Sequence, residues 1–374
     1  MKKHLHIIAF NIPYPANYGG VIDVFYKLKA LHAAGVGIIL HCFEYGREHA
    51  DVLETYCEKV YYYKRKTGWL SNLSLLPYNV YSRRDPLLLE RLLEDEYPIL
   101  FEGLHTCYYL KEPRLRDRIK IYRESNIEHD YYRMLAKSTR KGLEKLFLWI
   151  ESFRFRRYEK VLRYADLMLV VSTADTLQLR ERFPKARVVH MPSFHPNEQL
   201  TVRPGKSDFI LYHGNLSVSE NELAALFLID RVFSRMQRRC IIAGMNPSPR
   251  LILAASRYSN VEIKANPTVD EMDDLVGNAQ VQLLITFQDT GLKLKLLNSL
   301  FQGRFVVVNK LMLSGSGLDN LCVVANKPEE MVSACERLMN IAMTEEVIEN
   351  RRKVLFPAYS NKFLAERLVQ LIFA

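Results

Sequence analysis

Short apolar runs separated by helix-length segments constrain this chain more than any other feature. "HLHIIAF" (4–10), "VGIILHCF" (36–43), "KVYYYK" (59–64), "PILFEG" (98–103), "IKIYRES" (119–125), "ADLMLVVS" (165–172) and "RVVHMP" (187–192) are each too short for a helix and are mostly apolar on both faces. Between them lie helical patterns over 21–35, a long stretch at 128–164, and 173–183. Strands that bury both faces and alternate with helices form parallel sheets covered on each side. "SFHPNEQLTVRPGKS" (193–207) is polar, carries two prolines and has the composition of a linker. After it the pattern restarts with "DFILYHG" (208–214), the helical "NELAALFLIDRVFSRM" (221–236), then "RRCIIAGM" (238–245), "VEIKA" (261–265), "VQLLITF" (281–287), "RFVVVN" (304–309) and "LCVVAN" (321–326). The expected fold class is α/β, with two Rossmann-like parallel-sheet domains at 1–192 and 208–374 facing across a cleft. The last helix is a candidate to return to the N-terminal domain. A length of 374 residues, above the size of one ordinary core, agrees with two domains.

The charge is uneven. Residues 1–200 hold 32 Lys and Arg against 24 Asp and Glu, while the remainder holds 20 against 18. The basic excess belongs to the N-terminal half and points to an anionic partner there: membrane lipid, a phosphate-bearing acceptor or, with less support, nucleic acid. No nucleic-acid recognition motif is present, so none is expected as a partner. The six cysteines, Cys42, Cys57, Cys107, Cys240, Cys322 and Cys335, form no CxxC pair and match no zinc spacing. Free thiols in apolar runs fit a reducing, cytoplasmic setting. "MKKHLHIIAFNIPYP" has too short an apolar core for a signal peptide and is expected to be the first strand. No apolar run is long enough to span a bilayer.

In α/β folds, ligands bind beyond the carboxyl ends of strands. Three loops there carry chemistry. "NIPYPANYGG" (11–20) follows the first strand and ends on Gly19 and Gly20. "YHGNLSVSENELAA" places His213, Gly214 and Asn215 between a strand and a helix, where backbone amides and a helix N-terminus favour an anion, and Ser219 with Glu222 has the spacing of a capping box. An ordinary strand-to-helix loop is the plain alternative. "DTGLKLKLLNSLFQGRFVVVN" (289–309) opens on a glycine turn, and Lys293 and Lys295 fall in the first helical turns, where cations oppose the macrodipole unless a bound diphosphate offsets them. Lys293 is the favoured diphosphate ligand; solvated surface lysines are the alternative.

These residues resemble the retaining glycosyltransferases of the GT-B fold, family four, and in particular bacterial members with a pattern like G-T-G-I-K-L-K-x-L-E-A-L-A-x-G-x-P-V-V. Thr290, Gly291, Lys293, Leu294, Lys295, Leu297, Gly303, Val306 and Val307 fit it. Asn221 matches a recurrent asparagine, "PYPANYGG" resembles the paired-glycine loop, "YRESNIEHDYYRMLA" (122–136) resembles H-N-x-E-x-x-Y-Y-x-x-L, and "FEGLHT" (101–106) resembles a strand end carrying a histidine. The resemblance spans nearly the whole chain. It implies transfer of a sugar from a nucleotide-diphosphate donor, with retention, to a saccharide or lipid-linked acceptor in cell-surface polysaccharide biosynthesis. The implied donor-binding residues are Gly19, Gly20, His213, Gly214, Asn215, Asp289, Thr290, Gly291, Leu292, Lys293 and Asn298. His105 and Lys293 are the implied catalytic residues, although a structural histidine at a strand end is the other reading of His105.

The chain departs from the pattern at several points. Where the family has two glutamates eight residues apart, this sequence has Thr290 and Asn298. Asn298 can still bond a ribose through its amide oxygen, without charge assistance. Ser125 stands where the family has histidine, and Phe305 where proline is usual. No DxD-like motif stands at a strand end; "EDE" (94–96) and "DEMDD" (270–274) have the look of solvated helix ends, so no metal and no cofactor is expected. Two other functions keep the fold: a non-catalytic sugar-nucleotide-binding partner of another transferase, and a sugar-nucleotide epimerase. Finally, "YYYKRKTGWLSNLSLLPYNVYSRR" (61–84) and "KGLEKLFLWIESFRFRRYEK" (141–160) mix aromatic and basic residues. Each suits peripheral contact with an anionic inner-membrane surface, or else Phe147, Trp149 and Phe153 are core.

Overall fold

The computed structural model describes residues 2–139, 142–288 and 294–373. The chain divides into two compact units, residues 2–196 with 358–373, and residues 197–288 with 294–357.

The first unit is built on a seven-stranded sheet of β1 (His4–Ala9), β2 (Gly37–Glu44), β3 (Lys59–Lys64), β4 (Ile99–Glu102), β5 (Lys120–Glu124), β6 (Leu167–Val170) and β7 (Arg187–His190), in the order β3-β2-β1-β4-β5-β6-β7. Every pairing is parallel; β1 aligns with β2 from His4↔Gly37 to Ala9↔Cys42. The strands Ile99–Glu102 and Leu167–Val170 are buried along their whole length, as the uninterrupted apolar runs require. One core packs Leu5, Ile7 and Leu40 against helices Gly19–Ala33 and Asn361–Phe373, through Val24, Leu28, Leu364 and Leu368; a second, on the opposite face of the sheet, holds Phe43, Phe101, Tyr122 and Phe155.

The second unit repeats the plan in six strands: β8 (Phe209–His213), β9 (Arg239–Gly244), β10 (Val261–Ala265), β11 (Val281–Leu284), β12 (Phe305–Val308) and β13 (Val323–Val324), ordered β10-β9-β8-β11-β12-β13 and all parallel. In both sheets the strand order reverses beside the first strand, between β1 and β4 and between β8 and β11. Those two switch points are where a doubly wound sheet leaves a crevice at its carboxyl edge.

The structure corrects several local expectations. The stretch 128–164 is two helices, Glu128–Ser138 and Gly142–Tyr158, followed by a 3-10 segment Glu159–Tyr164. Thr139 takes extended geometry and ends the first helix, and the two then pack side by side, with Tyr132 and Phe155 ring centroids 4.9 Å apart and Ser152 Oγ donating to the His129 carbonyl at 2.7 Å. The polar segment after β7 begins as packed structure: Phe194 is fully buried, its N–H donates to Asp23 at 2.7 Å, and the backbone N–H of His195 donates to Asn361 at 3.2 Å. Asp95 of the "EDE" run is no solvated helix end; its carboxylate lies 3.0 Å from His6 and 3.1 Å from Arg118. Ser219 and Glu222 form no capping box, because the helix starts at Ser219 itself with Val218 as its cap, and Glu222 bonds Ser248 instead. A capping box does form at Thr268 and Glu271, inside the other acidic run. The six cysteines are free thiols.

Candidate active site

In the second unit, the buried strand β8 delivers His213 to its carboxyl end. His213 is buried and its Nε2 lies 2.9 Å from Ser299 Oγ on helix Leu294–Gln302. Burial, with a smaller push from the Lys295 charge, lowers its pKa to about 3. His213 is therefore a neutral hydrogen-bonding strut between strand and helix rather than a cationic phosphate ligand.

Gly214 follows, its N–H donating to the Ala243 carbonyl at 3.1 Å. The tight fit lies across from it. A Cβ on Gly244, the last residue of β9, would stand 1.8 Å from the Gly214 carbonyl oxygen. Only glycine at 244 lets the 214–216 turn settle onto the neighbouring strand. Asn215 then closes the turn on itself, accepting from the Ser217 N–H at 3.1 Å and hydroxyl at 2.7 Å.

Asn221, in the first turns of helix Ser219–Arg231, holds this loop from the other side: its Nδ2 donates to the Asn215 carbonyl at 2.9 Å, and its oxygen accepts from Lys295 Nζ at 2.9 Å. The Lys295 ammonium also lies 5.1 Å from the Tyr212 ring centroid. A cation is thus drawn to the glycine turn after β8 from the helix that follows β11, across the switch point. Thr286, just past β11, adds a second tie by bonding Glu220 at the start of the Ser219 helix. Asn298 lies three residues beyond Lys295 on the same half-buried face, and its oxygen accepts from Gln302 at 3.1 Å. Asp289, Thr290, Gly291, Leu292 and Lys293 lie outside the described residues.

In the first unit, the loop after β1 reaches helix Gly19–Ala33, which starts at Gly19. A Cβ on Gly20 would meet the Phe10 ring at 2.7 Å, so glycine brings the helix start down onto that ring. Phe10 in turn faces His105 edge-on, with centroids 6.4 Å apart. His105 follows β4 across Gly103, whose φ of +77° is a left-handed conformation that glycine supplies. Its ring also packs edge-on against Phe155 at 5.4 Å, and its Nε2 lies 3.3 Å from a Glu128 carboxylate oxygen. That approach is close enough for an ion pair but misaligned for a hydrogen bond, so Nε2, itself buried, makes no hydrogen bond. Glu128 opens helix Glu128–Ser138, where a carboxylate is favoured by the dipole.

Beneath this loop lies a closed charge network. Arg123 donates to Asp23 at 3.0 and 3.2 Å, and Lys27 donates to Asp23 at 3.1 Å and to Glu102 at 2.6 Å. All four side chains are buried, two of each sign. Burial alone would raise the Asp23 carboxyl, but Arg123, Lys27 and the Phe194 N–H outweigh it and hold it at about 2. The network ties helix Gly19–Ala33 to β4 and β5 at the switch point. Arg83 is a further buried cation; it donates to the Phe10 carbonyl at 2.9 Å and to the Asn79 carbonyl at 2.6 Å, and burial brings its pKa down to about 9.

Sequence reasoning did not name Gly244, Glu128, Arg83 or the Asp23 network as parts of these sites. The i,i+4 spacing of Asp23 and Lys27 and the place of Glu128 in the 122–136 motif were local signals; Gly244 and Arg83 become informative once their neighbours in space are known. The structure gathers His213, Gly214, Asn215 and Asn298 around one switch point, and Gly19, Gly20 and His105 around the other. Among the described residues, no group of His, Cys, Asp and Glu side chains is arranged to hold a metal ion.

With this geometry in place, comparisons with known proteins become specific. Residues 207–341 match the family model described as Glycosyl transferases group 1. A Klebsiella pneumoniae protein described as "Uncharacterized 44.6 kDa protein in cps region" is 24% identical over 382 residues, covering 95% of this chain and 94% of that one. Among solved structures, a point mutant of Staphylococcus aureus TarM in complex with fondaparinux, alpha-GlcNAc-glycerol and UDP superposes with a TM-score of 0.67 at 10% identity, over 100% of both chains. WaaG, a glycosyltransferase involved in lipopolysaccharide biosynthesis, gives a TM-score of 0.64 at 12% identity, over 99% of this chain and 100% of that chain. These structural likenesses establish the GT-B fold.

Proposed function

We propose that this chain, which has the GT-B fold and carries a group 1 glycosyltransferase region, transfers a sugar from a nucleoside-diphosphate donor to a saccharide or lipid-linked acceptor, with retention of anomeric configuration. The observation that carries the reading is the Lys295–Asn221 contact at the glycine turn after β8. It holds a cation beside the turn after β8, at the carboxyl edge of the second sheet, where a diphosphate is expected.

The chemistry asked of the protein is modest. The bond from the anomeric carbon to the donor's terminal phosphate oxygen breaks, the acceptor oxygen bonds to that carbon, and the acceptor proton leaves with the departing diphosphate. The barrier falls when negative charge on the leaving phosphate is met by fixed donors. Lys295, the backbone N–H of Asn215 and Lys293 are assigned that task. Asn298 is assigned the ribose, offering a neutral amide where the related pattern has a carboxylate, which weakens that contact without removing it. His105, packed between Phe10 and Phe155 with a Glu128 carboxylate 3.3 Å from its Nε2, is assigned a contact with the transferring sugar. The similarity to a cps-region protein supports cell-surface polysaccharide as the product class.

The test is donor binding and slow donor hydrolysis across a panel of nucleoside-diphosphate sugars, with and without divalent metal. One donor that binds and is hydrolysed, with both lost in Lys295→Ala, supports the transferase. Binding without hydrolysis or transfer to any acceptor supports the non-catalytic partner instead, for which Asn298 and Ser125 are the motivation.

A further inference from the structure

Helix Gly142–Tyr158 has an inner face of Leu148, Glu151, Ser152, Phe155 and Tyr158. Its opposite face should be polar in a protein surrounded by water. Instead it carries Leu143, Leu146, Phe147, Trp149, Ile150 and Phe153, with Leu143 87% and Phe153 69% exposed. These are large side chains, contiguous over three turns, on a helix whose inner face is already packed. Isolated exposed apolar residues are ordinary; a continuous apolar face on one helix marks a surface that something covers.

The second aromatic and basic segment of the sequence lies alongside. Arg154 Nη2 donates to the Asn72 carbonyl at 2.8 Å, the Tyr78 N–H donates to Glu151 at 2.8 Å, and Tyr78 packs edge-on against Phe147 at 6.4 Å. The loop so held presents Leu73 and Leu75, the latter 83% exposed. Between loop and helix runs an open groove of about 380 Å³ whose lining includes Leu75, Lys111, Arg157, Lys160 and Arg163. Past Phe153 the outward positions turn cationic, with Arg156, Arg157, Lys160 and Arg163 exposed. None of these four is paired with a carboxylate among the described residues. Glu151 and Glu159, on the same helical stretch, are buried and held by Arg154 and Arg182.

We propose that this face of the first unit docks on an anionic phospholipid bilayer, with the leucine and aromatic side chains entering the interface and the arginine and lysine cluster resting on the headgroups. A second copy of the chain is the competing cover. It would have to bury four unpaired cations against its own cations or its own apolar turns, whereas an anionic bilayer offers an apolar layer and negative charge in the order the helix presents them. Among the described residues, no helix is long and apolar enough to cross a membrane, so the contact is with the surface. The proposal stands on this face alone and does not rest on glycosyl transfer.

Vesicle cosedimentation of the full chain tests it. The protein is expected to bind vesicles of phosphatidylglycerol and phosphatidylcholine, to bind pure phosphatidylcholine far less, and to release in about 0.5 M salt. Leu146→Ser/Trp149→Ser/Phe153→Ser, altering only outward positions, is expected to lower vesicle affinity by about tenfold or more with an unchanged melting temperature. Arg156→Gln/Arg157→Gln/Lys160→Gln is expected to weaken binding and flatten its salt dependence, and serves alone if the first variant fails to fold. Absence of binding to anionic vesicles, or equal binding by the folded variants, overturns the proposal. A lipid-independent dimer that the serine variant dissociates also overturns it, in favour of a second copy.

Discussion

Lys295 Nζ lies 2.9 Å from the side-chain oxygen of Asn221, joining the helix after β11 to the helix after β8 across the point where the second sheet reverses its strand order. The contact helps to orient an ammonium on a flexible four-carbon stem. Replacing Lys295 by Ala is expected to weaken nucleoside-diphosphate binding by about 10- to 100-fold, the range for loss of a charge-assisted bond. Asn221→Ala is expected to act in the same direction and less strongly, since the lysine remains. Titration calorimetry with each variant measures both, beside melting curves that should stay close to the parent.

Gly244 is the second pressure point. Alanine there cannot be relieved by a side-chain movement, because its Cβ would meet the Gly214 backbone oxygen at 1.8 Å. Gly244→Ala is expected to cost about 1–3 kcal/mol and to lower donor affinity as well, by lifting the 214–216 turn. Thermal unfolding and calorimetry on the same sample check the two effects.

The fold was legible because hydrophobic burial dictates it. Continuous apolar runs such as "FILYH" can be satisfied only by a strand covered on both faces, and the restart after residue 207 could only mean a second sheet. The glycine of the turn after β8, Gly214, was legible, whereas Gly19 and Gly20, read as the end of a loop, open helix Gly19–Ala33 against the Phe10 ring. What could not be read was contact over long sequence distance. Gly244 looks like any glycine ending a strand until Gly214 is placed above it. Glu128 is seen as a partner of His105 only once the start of helix Glu128–Ser138 is placed beside the loop after β4. The apolar character of helix Gly142–Tyr158 was visible, but which side faced the core was not, because Leu and Phe occur all round it.

Glu128 and His105 supply a prediction about turnover. His105→Ala is expected to reduce turnover by about 100-fold with donor affinity little changed, because the proposal puts its ring beside the transferring sugar rather than the diphosphate. Glu128→Gln is expected to produce a smaller loss, since it keeps the shape and removes the charge beside the ring. Steady-state rates at saturating donor separate the two.

Stability should fall on acidification in two stages. His213 and His195, with pKa values lowered by burial to about 3 and about 4 from 6.5, take up protons more readily when unfolded. Their contribution is full above pH 6.5 and is lost as pH falls towards those values. Asp23, held at about 2 against 3.8, contributes fully above pH 3.8 and loses that contribution as pH falls through 2. Urea midpoints from pH 7.5 down to 3 should therefore drop from below pH 6.5 onward. His213→Gln, which keeps a bond to Ser299 and cannot titrate, should reduce that slope. Asp23→Ala, leaving Arg123 and Lys27 with only Glu102 to balance them, is expected to cost about 3–5 kcal/mol at neutral pH.

The measurement that bears most directly on the central claim is calorimetric titration of the folded protein with a panel of nucleoside-diphosphate sugars, run in parallel on Lys295→Ala. The account predicts that at least one donor binds the parent, and that its affinity falls about tenfold or more in a variant that melts at the same temperature. If no donor binds the folded parent, or if the same donor binds Lys295→Ala equally well, the switch point of the second sheet is not the donor site and the assignment fails.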